Sequence, residues 1–228
     1  MTKFQPVTHV IFDLDGLLLN TEPLYQQTFH ELVSKYGKEY TEELRLKVLG
    51  TRQQDAVRII VDALQLPITY EEFSFKSKDL LHKAFSGNVG LMPGAEKLVR
   101  HLYSKKIPLA VATSSGKENV LLKTQAHREL FGCFSHIVMG SSDPGVKNGK
   151  PHPDIFLIAA SRFADSPNVT KCLVLEDSPN GVVAAKAAGM QVVMVPDPQV
   201  SQERRKPATL VLNSLEEFKP EDFGLPPF

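Results

Sequence analysis

Six short apolar runs, each stopped by a polar residue or a helix breaker, constrain this chain more than any other feature. They are His9–Phe12, Pro108–Ala112, Ser135–Met139, Cys172–Leu175, Gln191–Val195 and Thr209–Leu212. They are continuous and rich in Val, Ile and Leu, the pattern of strands covered on both faces. Segments with helical spacing lie between them. Pro93–Lys105 places Ala95, Leu98, Val99 and Leu102 on one face, and Pro153–Phe163 does the same with Ile155, Phe156, Ile158 and Ala159. Pro179–Ala188 closes at Gly189, a residue suited to the position just past a helix end. Strands alternating with helices predict an α/β fold with a mostly parallel sheet flanked by helices and right-handed crossovers.

One stretch breaks the alternation. Residues 20–90 hold four helix patterns and no strand pattern. Pro23 opens the first and Gly37 ends it, and Thr41 starts a second that runs to Gly50. The third, Gln53–Leu64, puts Val57, Ile60, Val61 and Leu64 on one face. The fourth opens at Thr69, where Thr69 and Glu72 have the spacing of a capping box. The spacing predicts a small helical cap at 20–90, inserted into a sheet domain made of 1–19 and 91–228.

Charge and composition narrow the function. Lys+Arg and Asp+Glu are equal at 26 each, with no basic run, which disfavours nucleic-acid and membrane partners. The N-terminal apolar stretch is broken by Asp13 and Asp15, so it reads as neither a signal peptide nor a membrane span. The two cysteines, Cys133 and Cys172, sit in or beside apolar runs and suit buried thiols. A cytoplasmic monomer is the expectation.

The chemistry is expected where the strands stop. Asp13, Thr113 and Asp177 fall at or just after strand ends, and the carboxyl ends of a parallel sheet form its ligand crevice. Lys150 follows another strand by a loop. Carboxylates crowded in one crevice call for a cation, and hard oxygen ligands favour Mg²⁺ bridged to a phosphate. Ser114, Ser115 and Gly116 open a helix whose N–H groups can seat an anion. Such a set suits phosphoryl transfer. Asp13 can attack phosphorus, while Asp15 gives and takes the proton and Gly16 turns the backbone away.

Asp13-Leu14-Asp15-Gly16, Thr113, Lys150 and Glu176-Asp177, in this order, resemble the four motifs of the haloacid dehalogenase superfamily. The insert after the first strand resembles its C1-type helical cap, and the sheet domain its Rossmann-like core. The resemblance implies a phosphatase with Asp13 as nucleophile, Asp15 as acid/base, and Thr113 and Lys150 holding the phosphoryl group. It also implies Mg²⁺ held by Asp13, the Asp15 carbonyl and Asp177, with Glu176 as an outer or additional partner. Gly50 and Arg52, between two cap helices, are candidates for substrate contact with Ser114 and Ser115. The resemblance spans the chain and implies a small phosphorylated metabolite as substrate, pseudouridine 5′-phosphate first, with glycerol and sugar phosphates as alternatives. A hexose-phosphate mutase of the same class carries a histidine where this chain has Tyr25, which favours hydrolysis. A binding protein that has lost catalysis would not need every charged group retained.

Each residue also has a plainer reading. Asp-x-Asp-Gly begins many calcium loops, but Leu17, Leu18 and Leu24 occupy positions that such a loop needs for ligands or glycine. Thr113 and Glu176-Asp177 could cap the helices that follow, Lys150 could be a solvated loop charge, and Gly50-Thr51-Arg52 a tight linker. Only their joint order favours chemistry.

Overall fold

Six parallel strands form one sheet in the order β3-β2-β1-β4-β5-β6 in the computed structural model, which describes residues 2–228. They are β1 (His9–Phe12), β2 (Leu109–Thr113), β3 (His136–Met139), β4 (Cys172–Glu176), β5 (Gln191–Met194) and β6 (Leu210–Val211). The helices, in chain order, are α1 (Glu22–Ser34), α2 (Glu42–Val48), α3 (Gln53–Leu64), α4 (Tyr70–Phe85), α5 (Ala95–Ser104), α6 (Lys117–Thr124), α7 (Arg128–Phe131), α8 (Asp154–Ser161), α9 (Pro179–Ala187) and α10 (Gln202–Arg205). The first five stand between β1 and β2, and the first four of them are the helices expected in the insert. The α/β class expected from the runs is therefore observed.

Continuous apolar runs fit because the central strands are covered on both sides. Val10, Phe12, Val111 and Leu175 pack with Leu98, Val99 and Leu102 of α5. Ile11, Ala110, Ala112 and Val174 face the other way, against Phe156 and Ala159 of α8 and Val182 and Ala185 of α9. Burying one such aliphatic side chain stabilises by roughly 1.5–3 kcal/mol, so a charge within these runs would disrupt the sheet. β6 is shorter than its apolar run and is an edge strand, paired only with β5. There the Thr209 hydroxyl accepts from Val192 N–H at 3.0 Å, replacing a main-chain partner.

The four inserted helices hold a core of their own, with Phe29, Leu32, Leu44, Val57, Ile60 and Phe73 buried together. Thr69 and Glu72 form the reciprocal capping box at the start of α4. Thr41 caps α2 through a 3.3 Å bond from Leu44 N–H. Local cues thus set the helix starts, and the shared apolar faces set their packing.

Candidate active site

β1 lies between β2 and β4, so the residues at their carboxyl ends share one rim. Asp13 follows β1, Thr113 ends β2, and Glu176 ends β4 with Asp177 next. The strand order reverses at this place, where open α/β sheets bind ligands. Asp13 N–H still bonds to Leu175 O at 2.9 Å, so the sheet ladder fixes the residue's direction. Gly16 then turns the chain with φ +79°.

Lys150 ties the first group together. Its ammonium donates to Asp13 Oδ1 at 2.5 Å, to Ala112 O at 3.3 Å, and to Glu176 Oε1. The other Glu176 oxygen accepts from the N–H groups of Asp177 and Ser178 and from the Ser178 hydroxyl. Glu176 therefore does what the plainer reading allowed, supporting the start of α9, while also anchoring Lys150. Burial pushes the Asp13 carboxyl up to about 8, with Lys150 opposing it and Glu176 and Asp15 adding to it. Burial, followed by Glu176 and Asp13, raises Asp177 well above the usual range. Lys150 is raised by Asp13 and Glu176 against its own burial. One ammonium among these carboxylates leaves the cluster short of positive charge.

A second buried lysine holds Asp15. Lys123, on α6, donates to Asp15 Oδ1 at 2.6 Å, to the Tyr25 hydroxyl at 2.7 Å and to the Ser115 hydroxyl at 2.8 Å. Asp15 also accepts from Thr21 at 2.8 Å, Ser115 at 2.9 Å and Thr113 at 3.3 Å. Burial would raise the Asp15 carboxyl, but Lys123 and the surrounding donors hold it below its ordinary value. Sequence reasoning missed Lys123. A signal existed: it lies three residues after Val120, on the buried face of α6, whereas Leu121 points outward. Tyr25 entered the sequence reading only as a departure from the mutase pattern.

The cap covers this rim. Ser114 Oγ donates to Gly50 O at 2.9 Å, and Asn180 Nδ2 donates to Leu49 O at 3.0 Å. Gly50 has φ +75°, and an added Cβ would stand 2.6 Å from the Ser178 Cβ, so only glycine lets the cap loop seat here. Between cap and sheet lies a cleft of about 710 Å³ including its open mouth. Its walls include Asp13, Asp15, Gly50, Ser114 and Ser115 from the expected set. They also include Glu22, Tyr25, Arg45 and Asn119, which spacing did not reveal. Burial, with Asp15 adding to it, raises Glu22 to about 7.

Other expected residues stand behind the wall or away from it. Thr113 is fully buried and bonds to Asp15 and to Ser115 N–H, so that N–H is not available as part of an anion seat. Thr113 does not cap α6, whose N-cap is Gly116. Arg52 turns from the cleft to Asp55 at 3.1 Å and to Lys147 O at 3.3 Å. It lies against Gly149, beside Lys150, and outside the cleft wall.

The residues fit a hard divalent cation in a limited way. Among the described residues, no three His, Cys, Asp or Glu side chains form a ready metal cage. Three of the four carboxylates explain this, since Asp13 and Glu176 each give an oxygen to Lys150 and Asp15 gives one to Lys123. The second oxygen of Asp13 remains, and Asp177 receives no hydrogen bond on its carboxylate from the described residues. An added Cβ on Gly16 would overlap Asp177 Oδ2, so the turn is cleared for that carboxylate. Two carboxylates with water and phosphate oxygens match the demands of Mg²⁺ better than those of Ca²⁺. Asp13 and Asp177 are the two carboxylates of the expected set, whose third oxygen was the Asp15 main-chain carbonyl, and Glu176 stands behind them on Lys150.

Known proteins resemble this chain along nearly its whole length. The family profile of haloacid dehalogenase-like hydrolases matches residues 10–195. The chain is 53% identical to the probable pseudouridine-5′-phosphatase of Drosophila melanogaster, over 97% of this chain and 96% of that one. It is 45% identical to (DL)-glycerol-3-phosphatase 2 of Arabidopsis thaliana, over 97% and 93%. The fold matches the crystal structure of β-phosphoglucomutase from Clostridium difficile with a TM-score of 0.79 at 22% identity, covering 93% of each chain. No helix among the described residues is long and apolar enough to cross a membrane. Paired aspartates at a parallel-sheet rim, a profile that spans both sheet and cap, and relatives alike along their whole length lead to one assignment: the chain belongs to the haloacid dehalogenase-like hydrolases.

Proposed function

We propose that this phosphatase hydrolyses small phosphomonoesters through a phospho-aspartate on Asp13, with pseudouridine 5′-phosphate as the leading substrate. One observation carries the reading: Asp13 and Asp15 both line one cleft, yet each is held by its own lysine. Asp13 Oδ forms the bond to phosphorus as the bond to the leaving oxygen breaks, and Asp15 gives that oxygen its proton. Water then attacks the acyl phosphate, Asp15 takes back a proton, and inorganic phosphate leaves. The resting site holds Asp15 as a carboxylate, so acting as an acid requires it to turn from Lys123, take up a proton from solvent and carry it to the leaving oxygen. Tyr25 belongs to the cap and binds Lys123, so cap movement between 20–90 and the sheet domain can time that turn. Lys150 places positive charge beside Asp13, with Glu176 orienting the lysine.

Asp13, Asp177 and the Asp15 main-chain carbonyl would hold Mg²⁺, which offsets the negative charge of the phosphoryl oxygens when bound. The relative from Drosophila melanogaster supports a nucleoside-type substrate, and that from Arabidopsis thaliana supports glycerol phosphate as the alternative. Phosphate release from a panel of nucleoside, glycerol and sugar phosphates, with and without Mg²⁺, tests the reading. Asp13→Asn is expected to lower kcat/KM by at least about 10³-fold. Full activity in that variant would rule out the phospho-aspartate, and the best ester would identify the substrate.

A further inference from the structure

Past the two aspartates, the cleft wall is contributed largely by the cap, including Glu22, Tyr25, Gln26, Tyr40 and Arg45, with Asn119 from α6. Arg45 is the one Lys or Arg among the residues that line it. Its guanidinium is already engaged. Glu42 accepts from Nε at 2.8 Å and from Nη2, Asp197 accepts from Nη2 at 2.9 Å, and Glu22 lies 3.8 Å from Nη1. The Arg45 side chain is 7% exposed, so this positive charge is both buried and matched by surplus negative charge.

Consider what such a wall does to a leaving group. A second phosphate or a carboxylate would lose its water without gaining a counter-charge, or would have to displace a carboxylate from Arg45. Hydroxyls and ring N–H groups would instead find acceptors in Glu22 and in the amides of Gln26 and Asn119. Discrimination here comes from repulsion as well as attraction. Resting on the phosphatase reading above, we propose that this cleft selects phosphomonoesters with an uncharged, hydrogen-bond-donating leaving group. Glu22, with Arg45 3.8 Å away, is the specificity-determining residue that excludes bisphosphates and phosphorylated acids.

Two matched pairs of esters test this in the wild-type protein with Mg²⁺. Glycerol 3-phosphate and 3-phosphoglycerate differ by a hydroxymethyl against a carboxylate, and uridine 5′-phosphate and its 3′,5′-bisphosphate differ by one phosphate. The charged member is expected to have a kcat/KM at least about 100-fold lower, carried mostly by KM. Glu22→Gln should narrow that ratio by about ten-fold, and Asp197→Asn, outside the cleft wall, should narrow it less by loosening Arg45. Charged members turned over within about three-fold of the neutral ones would overturn the selection rule while leaving the phosphatase reading intact. An unchanged ratio in both folded variants would overturn the assignment to Glu22 and Arg45. No hydrolysis of any ester would remove the phosphatase reading first, and this rule with it.

Discussion

The site has two lysine centres that look alike in isolation and differ in construction. Lys150 lies wholly within the sheet domain and faces Asp13 and Glu176, with Asp177 close by. Lys123 faces Asp15 alone among the carboxylates, and its other partners are hydroxyls, one from the cap. The first centre has an excess of negative charge, whereas the second pairs one charge with one. The difference teaches that a buried charge centre can be poised either to recruit a cation or to be switched by a neighbouring domain.

Lys150→Met would break this comparison most severely. Removing one partner of a buried ion cluster costs about 3–5 kcal/mol, so denaturant titration should show a loss of that size, with activity abolished. Lys123→Met should act differently. A drop in kcat of about 100-fold with KM little changed is expected in steady-state assays, because Asp15 would lose the group that orients it. If both variants lost stability and activity in the same proportion, the two centres would be equivalent and the contrast would be wrong.

The two centres should also respond oppositely to pH. Burial raises Asp13 to about 8 in the folded chain, so the native state holds that proton more tightly than the unfolded state. Metal-free stability should therefore fall as pH rises from the ordinary carboxylate range through about 8, and Mg²⁺ should restore it most at the alkaline end. Asp15 is lowered instead, so its contribution is present at neutral pH and fades as pH falls through its depressed folded value. Thermal unfolding across pH, with Mg²⁺ and with chelator, measures both slopes. A flat metal-free profile that ignores Mg²⁺ would refute the charge deficit at Asp13.

Tyr25→Phe gives the smallest effect and the sharpest view of the cap. It removes the hydroxyl that Lys123 binds and keeps the ring stacked near Phe29 and edge-on to Phe85. About 1 kcal/mol of stability and a several-fold change in kcat are expected. A mutant indistinguishable from wild type in pre-steady-state bursts and in turnover would separate the cap from control of Asp15.

Sequence by itself determined the sheet and the rim. Continuous apolar runs fixed the buried strands, and because side chains at strand ends have no freedom to leave the rim, Asp13, Thr113 and Asp177 could be placed there from order alone. Capping cues at Thr41 and Thr69 were equally local, and the structure has both. Tertiary structure decided which partner each charge meets. Lys123 reaches Asp15 across 108 positions and Arg45 reaches Asp197 across 152, distances at which periodicity carries no information. It also turned Arg52 onto Asp55 and the Lys147 carbonyl, and Glu176 onto Lys150, choices invisible in spacing. The physical reason is common to all of them. Local backbone preference and apolar period set where a chain bends and what it buries, but a buried charge settles on whichever counter-charge the completed fold brings within reach.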